Sequence, residues 1–177
     1  MLLNLRSNKI KNLSVEWSCP WFDVIKFDYV KQVHYRIRTP APGVSAIVIR
    51  KDGKFVMVRQ TRPFFDQPKL EVINGGVEKK ETPLQALRRE VSEETGYEVL
   101  SAKLLLRLSP YPARSTNFVY AYVVRVDNRP AHAPEEKDLP DATVVALTLS
   151  QLMRAIKRGE SNWTTVAILL YYLRFGK

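Results

Sequence analysis

Three glutamates crowd one stretch of a predicted helix: Glu90, Glu93 and Glu94. Glu90 and Glu94 are four residues apart and share a face, and Glu93 points partly the same way. Carboxylates this close repel one another, and the macrodipole at a helix C-terminal end adds to the repulsion. A bound cation offsets both effects. Hard oxygen ligands on one face suit Mg²⁺ or Mn²⁺, and substrate phosphates can complete the coordination. Taken alone, the same residues also read as a solvated acidic surface, with Arg88 and Arg89 as local partners. That blander reading leaves the frame around them unexplained: Gly75 and Glu81 ahead of the helix, Arg89 directly before Glu90, and Gly96-Tyr97 behind.

The elements that must position these residues follow from local chemistry. A helix is predicted over Thr82 to Glu94, with Thr82 as N-cap, Pro83 at the first helical position and Gln85 completing a capping box. Leu84, Leu87 and Val91 form its apolar stripe, and Gly96 ends it. Upstream, Val44 to Arg50 and Phe55 to Arg59 read as strands joined by a hairpin turn at Lys51-Asp52-Gly53-Lys54. Leu70 to Ile73 reads as a short strand and Asn74-Gly75-Gly76 as a tight turn. Downstream come strands at Ala102 to Leu108, Asn117 to Val126 and Val144 to Leu147. A helix capped by Ser150 and ended by Gly159 follows, then a last helix from Trp163 to Phe175. Phe27 to Tyr35 nearly alternates, as a half-buried strand does. About seven strands and three helices in this order predict an α/β or α+β sandwich with helices on a mixed sheet.

Composition narrows the classes. The chain has 177 residues, 45% hydrophobic and 26% charged, which suits a globular fold with a real core. Cys19 is the only cysteine, so no internal disulfide or multi-cysteine zinc cluster is available, and His34 and His132 are the only histidines. No apolar run reaches membrane-spanning length. The first residues lack the order of a secretory signal, so a cytoplasmic location is expected. A net charge of +10 attracts phosphates and other polyanions. The basic residues are scattered, so no dedicated nucleic-acid role and no membrane partner are expected.

The segment Gly75-x5-Glu81-x7-Arg89-Glu90-Val91-x-Glu93-Glu94-x-Gly96-Tyr97 resembles the Nudix box. Tyr97 stands where that family carries a bulky aliphatic residue. The resemblance implies a Nudix-type α/β/α sandwich with a mixed sheet over residues 41–177. Before it, residues 1–40 form a β-rich extension, expected at a homodimer interface. It also implies metal-dependent hydrolysis of a nucleoside diphosphate linked to another moiety. By correspondence Glu90, Glu93 and Glu94 are catalytic residues and ligands of Mg²⁺ or Mn²⁺, the Asn74 carbonyl adds an oxygen, and Arg89 orients the glutamates. Glu81 is either an accessory ligand or a structural anchor.

Further stretches resemble the ADP-ribose pyrophosphatase subgroup: Val58-Arg59-Gln60-Thr61-Arg62, Leu70-Glu71-Val72-Ile73-Asn74-Gly75-Gly76, and Pro112 sixteen residues beyond Gly96. Ile73 and Asn74 replace a proline and an alanine of that pattern, and Asn117 replaces a glutamate. The subgroup implies ADP-ribose as substrate, with AMP and ribose 5-phosphate as products. Arg59 and Arg62 are then donors to the diphosphate, with Arg36 and Arg38 doing the same from a partner subunit. Glu71 and Pro112 carry over as substrate-contact positions; Tyr111 beside Pro112 is a candidate pocket wall, and Arg114, an addition to the subgroup's pattern, would favour a more highly charged phosphate. Glu135 or Glu136 supplies a general base. The aromatic Trp17, Trp21 and Phe22 are expected in core or dimer packing. Two alternatives stay open: a Nudix pyrophosphatase acting on GDP-mannose, NADH or a nucleoside triphosphate, and a non-catalytic Nudix-fold protein that binds a nucleotide or RNA.

Overall fold

The computed structural model describes residues 9–135 and 141–176, so Glu136 lies outside the described residues. The chain divides into two compact units. One comprises the chain up to Pro42 together with Ser109–Phe118; the other comprises Gly43–Leu108 and the chain from Val119 onward. The division expected after residue 40 therefore falls after Pro42, and a ten-residue loop of the later sequence groups with the N-terminal strands.

The N-terminal unit is an antiparallel sheet of β1 (Ile10–Ser18), β2 (Asp23–Tyr29) and β3 (Gln32–Arg38), in that spatial order. The run expected as one strand from Phe27 to Tyr35 is folded in two. Val30 and Lys31 both take positive φ, 50° and 63°, and make the two-residue hairpin turn that pairs Tyr29 with Gln32. The Ser109–Phe118 loop joins the free edge of β3: the Ile37 amide donates to the Arg114 carbonyl at 2.8 Å, and the Thr116 amide donates to the Ile37 carbonyl at 2.9 Å.

The second unit is built on a seven-stranded mixed sheet. Its strands are β4 (Gly43–Arg50), β5 (Phe55–Gln60), β6 (Lys69–Glu71), β7 (Ile73–Gly76), β8 (Ser101–Leu108), β9 (Val119–Val126) and β10 (Thr143–Leu147). The spatial order is β10-β5-β4-β9-β8, with β6 paired to β5 and β7 paired to β4. Only the central pair β4 and β9 is parallel; the others are antiparallel. Three helices complete the unit: α1 (Pro83–Thr95), α2 (Leu149–Lys157) and α3 (Trp163–Phe175). Side chains alternate across β4 and so feed two cores. Val44, Ala46 and Val48 pack with Ala86, Leu87 and Val91 of α1, while Ile47 and Ile49 pack with Leu152, Ala155, Ile168 and Leu169 of α2 and α3. This is the α/β/α sandwich with a mixed sheet.

Local chemistry sets the ends of α1 as expected. The Thr82 hydroxyl accepts from the Gln85 amide at 3.3 Å and the Gln85 side chain accepts from the Thr82 amide at 2.9 Å. Gly96 ends the helix at φ 71°. Leu84, however, is exposed, and Ala86 takes its place on the buried face. Helix α2 starts two residues earlier than expected. Thr148, not Ser150, is its cap, because only Thr148 has a glutamine three residues on to complete the box. No helix among the described residues is long and apolar enough to cross a membrane.

Candidate active site

Asn74, Gly75 and Gly76 do not form the turn that their sequence suggests. They belong to β7, where Asn74, Gly75 and Gly76 pair with Ser45, Val44 and Gly43 of β4. Neither glycine takes a positive φ. Gly75 is needed for a different reason: a Cβ there would lie 1.9 Å from the Cδ of Glu90. The Glu90 carboxylate thus rests in the space that a side chain on β7 would fill. Asn74 is pinned beside it. The buried Ser45 hydroxyl donates to Asn74 Oδ1 at 2.6 Å, and Asn74 Nδ2 donates to the Val72 carbonyl at 2.5 Å.

Arg89 is the hub of the helix face. Its Nε and Nη2 donate to the two oxygens of Glu81 at 2.8 and 3.0 Å, its Nη1 to Glu90 at 2.7 Å and Glu93 at 3.1 Å, and its Nη2 also to the Gly76 carbonyl at 2.9 Å. One guanidinium therefore ties strand β7, the connection to α1 and the helix into one frame. Glu81, chiefly, and then Glu90 and Glu93 hold the Arg89 proton more firmly than usual. Arg89, followed by the Glu78 amide, holds Glu81 below the ordinary carboxylate range. Of the two roles open to Glu81, this geometry describes the anchor.

Arg62 and Glu71 meet each other. Glu71 is only 5% exposed. It accepts from Arg62 Nε at 3.1 Å and Nη2 at 2.8 Å, and from Gln60 Nε2 at 3.3 Å. Glu71 raises the pKa of Arg62, and Glu94 adds a smaller contribution in the same direction. Arg62 therefore lies within electrostatic reach of the carboxylate helix. Arg59 lies with Nη2 3.8 Å from Glu160.

The expected positions Arg36, Arg38, Tyr111, Pro112 and Arg114 are in the N-terminal unit. Arg38 donates to Asp23 through Nε at 3.0 Å and Nη2 at 2.6 Å. Arg36 donates to the Tyr35 carbonyl at 2.8 Å and lies over the Phe27 ring. Tyr111 is exposed, and its carbonyl accepts from the amides of Arg114 and Ser115. Pro112 lines an apolar cavity of about 310 Å³ with Ile25, Phe27 and Phe118.

Some of the site's surroundings carry no sequence signal. The segment from Pro130 to Glu135 seats on the C-terminal end of α1. The Gly96 carbonyl accepts from the amides of Ala131 and His132 at 2.8 and 3.3 Å, and the Glu93 carbonyl accepts from the Glu135 amide at 2.8 Å. His132 Nδ1 lies 2.7 Å from the Ala133 carbonyl, and Nε2 lies 2.9 Å from the Ser92 hydroxyl. Nδ1 therefore carries the proton, since a carbonyl can only accept. These contacts satisfy helix carbonyls that would otherwise lack donors. Ser45, Ser92 and His132 carry no signal of type or spacing, whereas Gln60, which donates to Glu71, lies within the Val58-to-Arg62 stretch.

Among the described residues, no group of three or more acidic, histidine or cysteine side chains stands in metal-binding geometry. The donor chemistry nevertheless suits a hard cation. Glu81, Glu90 and Glu93 meet at the guanidinium of Arg89, and Glu94 lies on the same helix, so hard carboxylate oxygens are gathered on one side of β7.

A NUDIX domain matches residues 39–165, and the chain belongs to that family. The class is therefore a Nudix-type hydrolase of diphosphate linkages. A methanol dehydrogenase activator of Bacillus methanolicus is 28% identical over 134 residues, spanning 75% of this chain and 72% of that one. A GDP-mannose pyrophosphatase of Escherichia coli K12 is 32% identical over 101 residues. That match covers 56% of this chain and about half, 53%, of the relative. The crystal structure of an ADP compounds hydrolase superposes with a TM-score of 0.77 at 20% identity, covering 94% of this chain and 92% of that one, which establishes likeness of fold. These similarities do not single out the ADP-ribose branch.

Proposed function

We propose that the protein is a divalent-cation-dependent pyrophosphatase for nucleoside diphosphate sugars, with GDP-mannose a better substrate than ADP-ribose. The observation that carries the reaction class is the Arg89 hub, which gathers Glu81, from the connection ahead of α1, with Glu90 and Glu93 of the helix against β7. The similarity to a GDP-mannose pyrophosphatase supports the choice of sugar nucleotide. In this reading hydrolysis breaks the bond between bridging oxygen and phosphorus, and GDP-mannose gives GMP and mannose 1-phosphate.

Glu90, Glu93, Glu94 and the Asn74 carbonyl would hold Mg²⁺ or Mn²⁺, which when bound neutralises phosphate charge and lowers the pKa of water. The chain's own residues do the positioning. Gly75 leaves room for Glu90, Arg89 fixes Glu90 and Glu93, and the Ser45–Asn74 pair fixes the strand beneath them. Arg62, set by Glu71, offers its outer edge to the diphosphate, and Arg59 stands on the same strand end. Glu135, seated on the end of α1, is the described candidate for a general base.

The test is a comparison of kcat/KM for GDP-mannose, ADP-ribose, NADH and ATP with Mg²⁺, products being resolved by chromatography. GDP-mannose should exceed ATP by at least about tenfold; an ADP-ribose preference of that size would return the assignment to the ADP-ribose branch. Chelation should abolish turnover, and Glu94→Gln should lower it at least about tenfold with the fold intact. Full activity in excess EDTA would refute the metal mechanism. Absence of turnover on every substrate would favour the binding-protein alternative.

We also propose a homodimer. The N-terminal sheet exposes Leu13, Val15, Trp17, Val33, Tyr35 and Ile37, an apolar content that a solvated sheet face does not favour. Closed two-fold pairs are the commonest soluble assemblies. Light scattering at micromolar concentration should return twice 20.4 kDa. A monomeric mass would remove the dimer and, with it, the role proposed for Arg36 and Arg38 as donors to a partner's substrate.

A further inference from the structure

The connection between β5 and β6 holds a side chain where folding alone does not favour it. Arg62-Pro63-Phe64-Phe65 closes a turn, with the Phe65 amide donating to the Arg62 carbonyl at 3.1 Å. Pro63 takes the first central position, where its fixed φ is at home. Phe64 takes the second with φ 72°. That left-handed conformation belongs to glycine or asparagine, and a bulky residue there is strained. Packing does not compensate, since Phe64 is fully exposed, at 104%. Phe65 beside it is 56% exposed, with Lys69 Nζ 5.3 Å from its ring centroid. Strain of this kind persists in folded proteins mainly where function uses it.

The turn springs directly from Arg62. That guanidinium is fixed on Glu71, so the aromatic pair directly follows the arginine to which the proposed function gives the diphosphate. A nucleoside diphosphate engaged by Arg62 has a planar base to place. Phe64 offers a ring open to solvent, on a turn whose geometry is set by a proline and a closing hydrogen bond.

We propose that Phe64, with Phe65 beside it, is a stacking platform for the nucleobase of the substrate. The proposal rests on the nucleoside diphosphate sugar reading above and adds the residue that receives its base. Every nucleobase has a π face, so the platform supplies affinity without choosing among bases. Loss of one aromatic stack should weaken nucleotide binding by about 5- to 150-fold.

The experiment is titration calorimetry of GMP and of ribose 5-phosphate, with Mg²⁺ throughout, on the parent, Phe64→Ala and Phe64→Gly. Light scattering and thermal melting are measured on the same samples. GMP should bind both variants about 5- to 150-fold more weakly, while ribose 5-phosphate binding and molecular mass stay unchanged. Phe64→Gly should also melt roughly 2–4 °C higher, because glycine relieves the turn. GMP affinity equal to the parent's in both variants overturns the platform, as does failure of the parent to bind GMP. A fall in mass on Phe64→Ala also overturns it, by making Phe64 a subunit contact. Calorimetry needs no turnover, so the two readings fail separately. GDP-mannose hydrolysis with Phe64-independent GMP binding removes only the platform. Phe64-dependent GMP binding without GDP-mannose hydrolysis removes only the substrate assignment.

Discussion

Gly75→Ala is expected to cost activity and leave the fold nearly untouched. The added methyl meets the Cδ, Oε1 and Cγ of Glu90 at 1.9, 2.0 and 2.4 Å, all in the outer part of a flexible side chain. Glu90 can swing away, and alanine is compatible with the strand conformation of β7, so the melting temperature should change by no more than about 2–4 °C. A swung Glu90 breaks its 2.7 Å contact with Arg89 and leaves its place on the helix face. Displacement of a catalytic group by about 1 Å can cost on the order of 100-fold, and that is the loss in kcat/KM to expect. Activity within threefold of the parent, in a protein that melts normally, would show that Glu90 does not need the place the glycine leaves for it.

Gly96→Ala should do the reverse and unfold the protein first. Here the methyl would stand 2.1 Å from the carbonyl oxygen of His132, which is backbone, at a position whose φ of 71° already disfavours alanine. The left-handed conformation costs about 1–2 kcal/mol. Pushing the 130–135 segment off the helix end also strips the Gly96 and Glu93 carbonyls of their donors. A total of about 2–4 kcal/mol is expected, lowering the melting temperature by roughly 5–15 °C. A drop of less than about 2 °C would mean that the segment is not held as described. Two glycines of one motif thus answer to different forces, one to a side chain of the site and the other to the backbone of a distant loop.

The helix that carries the site was legible because its determinants are local. Thr82, Pro83, Gln85 and Gly96 act within a turn of their own positions, and the structure uses each as expected. The sandwich followed from the order of strands and helices, and the family from the box. Features that depend on remote partners were not legible. Asn74-Gly75-Gly76 has the composition of a turn, and only pairing with β4 makes it a strand. Strand β1 escaped notice because a register shift between Lys11 and Ser14, with Asn12 at φ 50°, interrupts its alternation. His132 and Ser92 are forty residues apart and share no pattern; only the path of the loop brings them together. Nothing in the spacing of Arg62 and Glu71 shows that they are each other's partners; only the pairing of β5 with β6 brings them together.

The assignment of Ser109–Phe118 to the N-terminal unit also governs how the chain can be made and cut. β3 emerges from the ribosome early, but the backbone partners of Ile37 lie at Arg114 and Thr116 and arrive only after Gly43–Leu108 has been synthesised. The first unit therefore cannot finish before much of the second exists. The second cannot finish earlier either, because the parallel partner of β4 is β9, which follows that same loop. No single cleavage separates the two: removing residues 1–42 strands a loop built for a missing strand, and stopping at 42 leaves β3 with an open edge. Each unit is thus an insertion in the other's completion, and truncation by sequence position would yield two incomplete pieces where two domains were intended.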